Sequence, residues 1–164
     1  MRVRSIVVPL CAILFGVAAS ATLAQTIKKE YHVHSAWTKG IFSEAVTITG
    51  IGNAKFIYLA GVGAEDESGP RGTIRHRGDF VAQCRYAYDK IKRVLAAHGA
   101  KLGDTVKVTT YLTDMRYRID SGKCLSEHFT EAKAELPAQT LLHISGLAFP
   151  EMMIEVDVTA IAQQ

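Results

Sequence analysis

ELPAQTLLHISGLAFPEMMIEVDVTAIA, the segment Glu135–Ala162, predicts two strands that form the floor of a site. Residues 140–145 and 153–162 are dominated by β-branched and apolar side chains, while residues 146–151 contain the glycine and proline typical of a loop. In the second strand apolar and polar residues alternate with a period of two, as in a sheet with one buried face. Glu155 is therefore expected on the face opposite the apolar side.

Upstream of this segment, the apolar pattern predicts a β-β-α-β-α order, so the domain reads β-β-α-β-α-β-β. The predicted elements are strands at 44–49 and 55–60, a helix at 79–98, a strand at 105–112 and a helix at 117–133. The Gly50–Asn53 segment predicts a hairpin between the first two strands. The helix at 79–98 predicts a β-α-β crossover, with the strands on either side of it parallel.

Both helices are expected on one face of a single mixed sheet. The opposite face then lacks a cover, and strand residues such as Val106, Val108 and Ile144 are expected to need burial against a partner. The pattern therefore predicts an α+β domain that associates with other copies.

The N-terminus has the layout of a secretory signal. Arg2 and Arg4 precede an uncharged apolar run, Ile6–Ala19, and small residues follow up to Ala24. Cleavage is expected after Ala24, with Ala21 as the second choice, which implies a periplasmic or secreted protein. An uncleaved anchor is the alternative, since about 19 residues approach the length of a membrane span. The predicted organisation is a signal peptide at 1–24, an arm or leading strand at 25–39, and one domain at 40–164.

Charge argues against a nucleic-acid-binding protein. The formal net charge is +3, and loss of Arg2 and Arg4 with the signal leaves +1. That is too little positive charge for a surface that follows a phosphate backbone. The basic cluster Arg71–Arg77 is interpreted as a solvated loop, with anion binding as the alternative.

Metal and disulfide chemistry are not indicated by the remaining residues. His32 and His34 alternate along an extended segment without a third ligand, so they are interpreted as surface groups and no metal site is predicted. Cys84 and Cys124 each fall in a predicted helix, where a small apolar side chain packs well. They are expected to be unpaired, although an oxidising compartment would allow them to pair.

The end of the chain resembles the RidA family, also called YjgF or L-PSP. The residues that carry this resemblance are PAQT at 137–140, followed by PEMMIEVD at 150–157. Three earlier stretches resemble the family in the same order, namely FSEAV at 42–46, IYLAG at 57–61 and DTVKVTTYLTDM at 104–115. The resemblance extends over roughly residues 40–162.

The resemblance implies a chorismate-mutase-like α+β fold, assembled as a homotrimer with small-molecule clefts between subunits. It also implies an imine or enamine deaminase that needs no cofactor, in which an arginine holds the substrate carboxylate and a glutamate orients the attacking water. Glu155 occupies the glutamate position and is the candidate catalytic residue. Three other family positions differ, because Gln139 replaces the arginine, Phe42 a tyrosine and Ala60 a serine. The candidate substrate-binding residues are Phe42, Ala60, Gly61, Gln139 and Leu141.

Two functions follow from this comparison of positions. Loss of the bidentate arginine contact costs on the order of 2–5 kcal/mol when a carboxylate is left unpaired. The first hypothesis is therefore an exported trimer that binds a neutral or weakly polar small molecule without the typical deaminase activity. The alternative is a deaminase of the 2-iminobutanoate and 2-iminopropanoate type with altered specificity, in which a loop arginine from Arg71–Arg77 holds the carboxylate.

Overall fold

The computed structural model describes residues 26–164. The predicted signal peptide lies outside the described residues. The strands are β1 (Lys28–His32), β2 (Ala45–Thr49), β3 (Lys55–Val62), β4 (Thr105–Leu112), β5 (Ala138–His143) and β6 (Ile154–Ala162), and the helices are α1 (Phe80–Ala97) and α2 (Arg118–Glu131). Within residues 26–164, neither helix combines the length and apolar character needed to cross a bilayer.

Four strands form the main sheet, in the order β3-β6-β4-β5. Strand β6 is antiparallel to both of its neighbours, and β4 is parallel to β5. Because β3 and β4 both run antiparallel to β6, they are parallel to each other. The predicted crossover is thus confirmed, with the last strand of the chain inserted between its two strands.

The predicted hairpin between β2 and β3 is wrong. Strand β2 pairs with β1 along its whole length, from Lys28 opposite Thr49 to His32 opposite Ala45, and this ribbon forms a sheet of its own. Just before β2, Ser43 pairs with Ala138 at the start of β5. The ribbon is therefore tied to the β5 edge of the main sheet, whereas β3 lies at the opposite edge, and residues 50–53 link two sheets.

Both helices pack on one face of the main sheet, where they bury the core. Asp79 caps α1 by accepting a hydrogen bond from the Ala82 backbone N–H at 3.0 Å, and the chain leaves the helix through Gly99, which has a φ of 67°. The largest buried side chains of this core are Tyr88, Ile91, Leu95, Leu112, Leu125 and Phe129. Alternation along β6 buries Ile154, Val156 and Val158 against the helices, as predicted from the sequence.

The two helices are also joined covalently, which corrects the expectation of unpaired cysteines. Cys84 of α1 and Cys124 of α2 form a disulfide with a Cα–Cα distance of 6.5 Å. Each cysteine falls in a helix, as predicted, and lies on the buried stripe of that helix. The disulfide forms because these two stripes face each other. Four residues further along each helix, the rings of Tyr88 and His128 stack with centroids 5.0 Å apart.

The face of the sheet without helices carries different residues from those predicted. Val106 and Val108 are already buried within one chain, and Val108 lies in the helix-covered core. Large apolar side chains that do remain exposed on strands are Phe56, Tyr58 and Leu142, and Tyr58 is 74% exposed. Burial against a partner was therefore wrongly expected for Val106 and Val108, whereas Ile144 lies just beyond β5 and is half-buried. The expectation that strand residues need a partner now depends on Phe56, Tyr58 and Leu142.

Candidate functional site

The loop at 34–44 is held in shape by a single carboxylate. One oxygen of Glu44 accepts hydrogen bonds from the backbone N–H groups of His34 and Ser35, and the other accepts from the Ser35 hydroxyl at 2.6 Å. These bonds stabilise the ionised form and lower the pKa of Glu44 to about 2. The loop therefore presents Trp37 and Phe42 from a fixed backbone.

Ser43 attaches this loop to the start of β5. Its hydroxyl donates to the Leu136 carbonyl at 2.7 Å, and its backbone N–H donates to the Pro137 carbonyl at 3.1 Å. Phe42 consequently lies beside Gln139, the position at which the family arginine is expected.

Together the loop, α2 and β5 enclose a groove of about 380 Å³. We call this the β5–α2 groove. Its main lining residues are Trp37, Ile41 and Phe42 from the loop, Arg118, Ile119 and Lys123 from α2, and Gln139 and Leu141 from β5. Trp37 and Phe42 meet edge to face with ring centroids 5.6 Å apart. Three of the five predicted substrate-binding residues thus lie in one groove.

Inside the groove, Gln139 has an unusual amide. Its side-chain Nε2 is buried and has no hydrogen-bond partner among the described residues. A buried donor without an acceptor costs about 1–3 kcal/mol. Gln139 therefore has a buried donor without an acceptor in the wall of the groove.

Gly61 and Glu155 form the second part of the predicted site, on β3 and β6. The Glu155 carboxyl group occupies the space where a side chain at Gly61 would begin, so any larger residue at position 61 would displace it. Burial, followed by the nearby charges of Glu65 and Asp157, raises the pKa of Glu155. Ala60 lies next to this pair on an exposed part of β3.

Lys90 supports this part of the site from α1. Its ammonium donates to the Gly63 carbonyl at 3.1 Å, to the Glu65 carbonyl at 3.0 Å, and to the Glu65 carboxylate at 2.9 Å. The same carboxylate accepts from the Gly63 N–H at 3.1 Å. These contacts fix the chain where it leaves β3, close to the Glu155 carboxyl group.

Strand register places Gln139 and Glu155 on opposite faces of the sheet. Gln139 is opposite Val108, whose side chain is in the helix-covered core, whereas Glu155 is opposite Tyr111 on the uncovered face. Two strand spacings and three residues of rise separate their backbones by roughly 14 Å. Within one chain, these two residues cannot contact the same small ligand.

Sequence reasoning did not find the groove residues of α2. Arg118, Ile119 and Lys123 line the groove from the exposed side of α2. Ile119 and Lys123 are four residues apart and therefore share a stripe, but only the position of β5 shows which side of α2 faces a site. The loop arginines lie elsewhere, with Arg75 paired with Asp66 at 3.1 Å and Arg77 with Glu151 at 3.7 Å.

Within residues 26–164, no three His, Cys, Asp or Glu side chains cluster as ligands for a metal. The His32 and His34 rings stack with centroids 6.2 Å apart, and His32 hydrogen-bonds to the Thr47 hydroxyl at 3.0 Å.

Comparison with known proteins places the chain among relatives of the same architecture. The family model described as Endoribonuclease L-PSP matches residues 34–162. A RutC family protein of Pyrococcus abyssi is 33% identical over 121 residues, covering 68% of this chain and 88% of the relative. The 2-iminobutanoate/2-iminopropanoate deaminase of Escherichia coli is 30% identical over 83 residues, covering 51% of this chain and 64% of the enzyme.

Among solved structures, the yjgF gene product of Escherichia coli superposes with a TM-score of 0.59 at 26% identity, covering 66% of this chain and 81% of that protein. This agreement confirms the chorismate-mutase-like fold with a mixed sheet and two helices on one face. The ordered sequence blocks, the family model and the fold together show that the chain belongs to the RidA/YjgF/L-PSP family.

Proposed function

We propose that this protein is an exported homotrimer that binds a small molecule in clefts between subunits and lacks the typical 2-imino acid deaminase activity. The observation that carries the proposal is the placement of Gln139 and Glu155 on opposite faces of one sheet. A neighbouring copy must supply one of the two positions if both are to contact one ligand.

The uncovered face of the sheet supports the trimer. It exposes Phe56, Tyr58 and Leu142, each more than 40% accessible in the single chain, and burial of such side chains against a neighbour is favourable. In this arrangement the β5–α2 groove of one subunit faces the Gly61 and Glu155 pair of the next.

Low deaminase activity follows from the residues at the cleft. An amide at Gln139 has neither the charge nor the planar fork with which a guanidinium holds a carboxylate through two parallel hydrogen bonds. Phe42 and Ala60 also lack the hydroxyl groups expected from the resemblance. Glu155 can orient a water only when a substrate is held within hydrogen-bond reach.

One observation favours the alternative, a deaminase with altered specificity. Glu155 is half-buried and its raised pKa is typical of carboxyl groups at functional sites. The deaminase name of the Escherichia coli relative gives the reaction class to test.

Neither proposal includes nuclease activity. The name of the matching family refers to an endoribonuclease. A formal net charge of +3 for the whole sequence, two units of which lie at Arg2 and Arg4, does not favour binding to a phosphate backbone. Export is proposed on the signal-like layout of residues 1–24, and intact-mass measurement on protein from its native compartment tests it.

Hydrolysis of 2-iminobutanoate separates the two functions. We expect the wild-type protein to hydrolyse this substrate barely faster than buffer does, and Gln139→Arg to gain carboxylate binding. The triple variant, which adds Phe42→Tyr and Ala60→Ser, should gain more turnover than Gln139→Arg alone, because substrate positioning and water activation act as a unit. Rapid wild-type turnover that is lost in Glu155→Gln would establish the alternative instead. In that case the rate should rise with pH through the raised pKa of Glu155, because the carboxylate form orients the water.

Assembly is tested by sedimentation at micromolar concentration, where a trimer is expected. A folded monomer that persists at that concentration would overturn the inter-subunit cleft.

A further inference from the structure

We propose that the β5–α2 groove binds an organic anion with a bulky apolar body, such as an arylalkyl carboxylate. This inference rests on the proposed function, since the groove is one wall of the inter-subunit cleft. It replaces the neutral ligand expected from the sequence, because the structure brings two cations to the groove.

The size and lining of the groove favour a bulky ligand. Its volume of about 380 Å³ falls in the range of pockets that take drug-sized molecules, so a four-carbon imino acid leaves most of it unfilled. Trp37 is 68% exposed, and Ile41 and Ile119 are about half exposed, although all three line this groove. An aromatic or branched body would remove these side chains from water.

The cations of the groove come from α2. Arg118 is in the first turn, where a positive charge opposes the helix dipole, so helix stability does not account for it. Within residues 26–164, Arg118 makes no ion pair, and Lys123 is 3.7 Å from Asp120, with both of those side chains largely exposed. Both cations are therefore available to an anionic ligand.

Gln139 completes the recognition. Its buried Nε2 donor has no acceptor among the described residues, and a carboxylate oxygen in the groove would accept from it. Relative to the family pattern, the positive charge has moved from β5 to α2.

Trp37 makes the groove directly observable, because it is the single tryptophan of the sequence. Phenylacetate, phenylacetamide and propanoate are titrated into the mature trimer while Trp37 fluorescence and binding heat are measured. We expect phenylacetate to bind about tenfold more tightly than the other two, a ratio that corresponds to about 1.4 kcal/mol. Equal affinity for phenylacetate and phenylacetamide would overturn the proposal that the ligand is an anion. Equal affinity for phenylacetate and propanoate would overturn the proposal that the ligand has a bulky apolar body.

Variants assign the charge preference to α2. The double variant Arg118→Gln/Lys123→Gln should bind phenylacetate about tenfold more weakly, with phenylacetamide unchanged. Lys92→Gln is the matched control, since Lys92 is a cation of α1 outside the groove that pairs with Asp89, and it should bind as the wild type does. A preference for phenylacetate that survives in the double variant would overturn the assignment.

The experiments distinguish failure of the proposed ligand class from failure of the proposed function. A trimer without deaminase activity in which no aryl ligand perturbs Trp37 overturns the ligand class and leaves the assembly standing. A folded monomer, or rapid hydrolysis of 2-iminobutanoate that depends on Glu155, overturns the proposed function whatever the phenylacetate result.

Discussion

The two faces of the main sheet differ in how far one chain completes them. The helix-covered face has a continuous apolar core, a disulfide between its two helices and a stack of Tyr88 on His128. The uncovered face has the paired polar groups Tyr111 and Asp157, 2.9 Å apart, beside exposed aromatic side chains. The buried core and the covalent link between the helices therefore lie on the first face, whereas the proposed subunit contacts and ligand-binding residues lie on the second face and at the sheet edges.

The largest expected effect on the stability of the chain is a cavity on the covered face. Phe129→Ala should lower the free energy of unfolding by about 3–5 kcal/mol, because the ring is almost fully buried. Urea denaturation measures this loss. Phe56→Ala is the matched variant on the uncovered face, and a similar loss in the dissociated chain would show that the two faces do not differ as described.

Reduction of the disulfide should have the next largest effect. Cys84 and Cys124 are separated by 40 residues, and closure of such a loop stabilises a fold by about 2–4 kcal/mol. The urea midpoint should therefore fall on addition of reductant. The urea midpoint of the double variant Cys84→Ala/Cys124→Ala should not change with reductant. An unchanged midpoint in the wild type would contradict a stabilising disulfide between the helices.

A smaller effect is expected from pH on the covered face. Burial, followed by the charge of Lys92, lowers the pKa of His128, whereas the unfolded chain takes up this proton near pH 6.5. The contribution of neutral His128 is therefore fully present above about pH 6.5 and is lost as the pH falls from that value toward the lowered pKa of the folded state. Thermal unfolding between pH 8 and pH 5.5 should show this loss.

His128→Phe is the control for the pH effect, because it keeps an aromatic ring against Tyr88 without a titrating group. The carboxyl groups of Glu44 and Asp66, each with a pKa of about 2, do not change charge in this window. An identical pH dependence in the wild type and His128→Phe would rule out His128 as the source.

The smallest effect on the chain itself should come from Tyr58→Glu. A substitution at an exposed strand position changes the stability of one chain by about 0.5 kcal/mol or less, yet a charge on the uncovered face should prevent assembly. Sedimentation should detect folded monomers, with near-native circular dichroism. A trimer that survives Tyr58→Glu would place the interface elsewhere.

The sequence predicted the elements well wherever a single period dominated. The strand alternation of Ile154, Val156 and Val158, and the cap at Asp79, gave β6 and the start of α1. The prediction of a β2–β3 hairpin was wrong because turn residues such as Gly50 and Gly52 suit a link between two sheets as well as a tight hairpin. Only the long-range pairing of β2 with β1 distinguishes these two arrangements.

The sequence predicted only those residues of the site that belong to a recognisable motif. Resemblance identified Glu155, Gly61 and Gln139 as candidate residues, and the structure adds that Gly61 lies against Glu155. Arg118 and Lys123 were missed, and the pairing of Cys84 with Cys124 was not expected, because both depend on how α2 sits relative to α1 and β5. The periodicity of a helix gives its buried stripe but not the residues that this stripe meets.

The placement of Gln139 and Glu155 on opposite faces has a genetic consequence. In the proposed trimer, each cleft takes position 139 from one subunit and position 155 from the next. Chains altered at only one position would then complement each other when co-expressed, because every mixed trimer contains one cleft in which both positions are unaltered. Two alleles that each abolish binding alone would together restore one of the three clefts in every mixed trimer and none in trimers of a single allele.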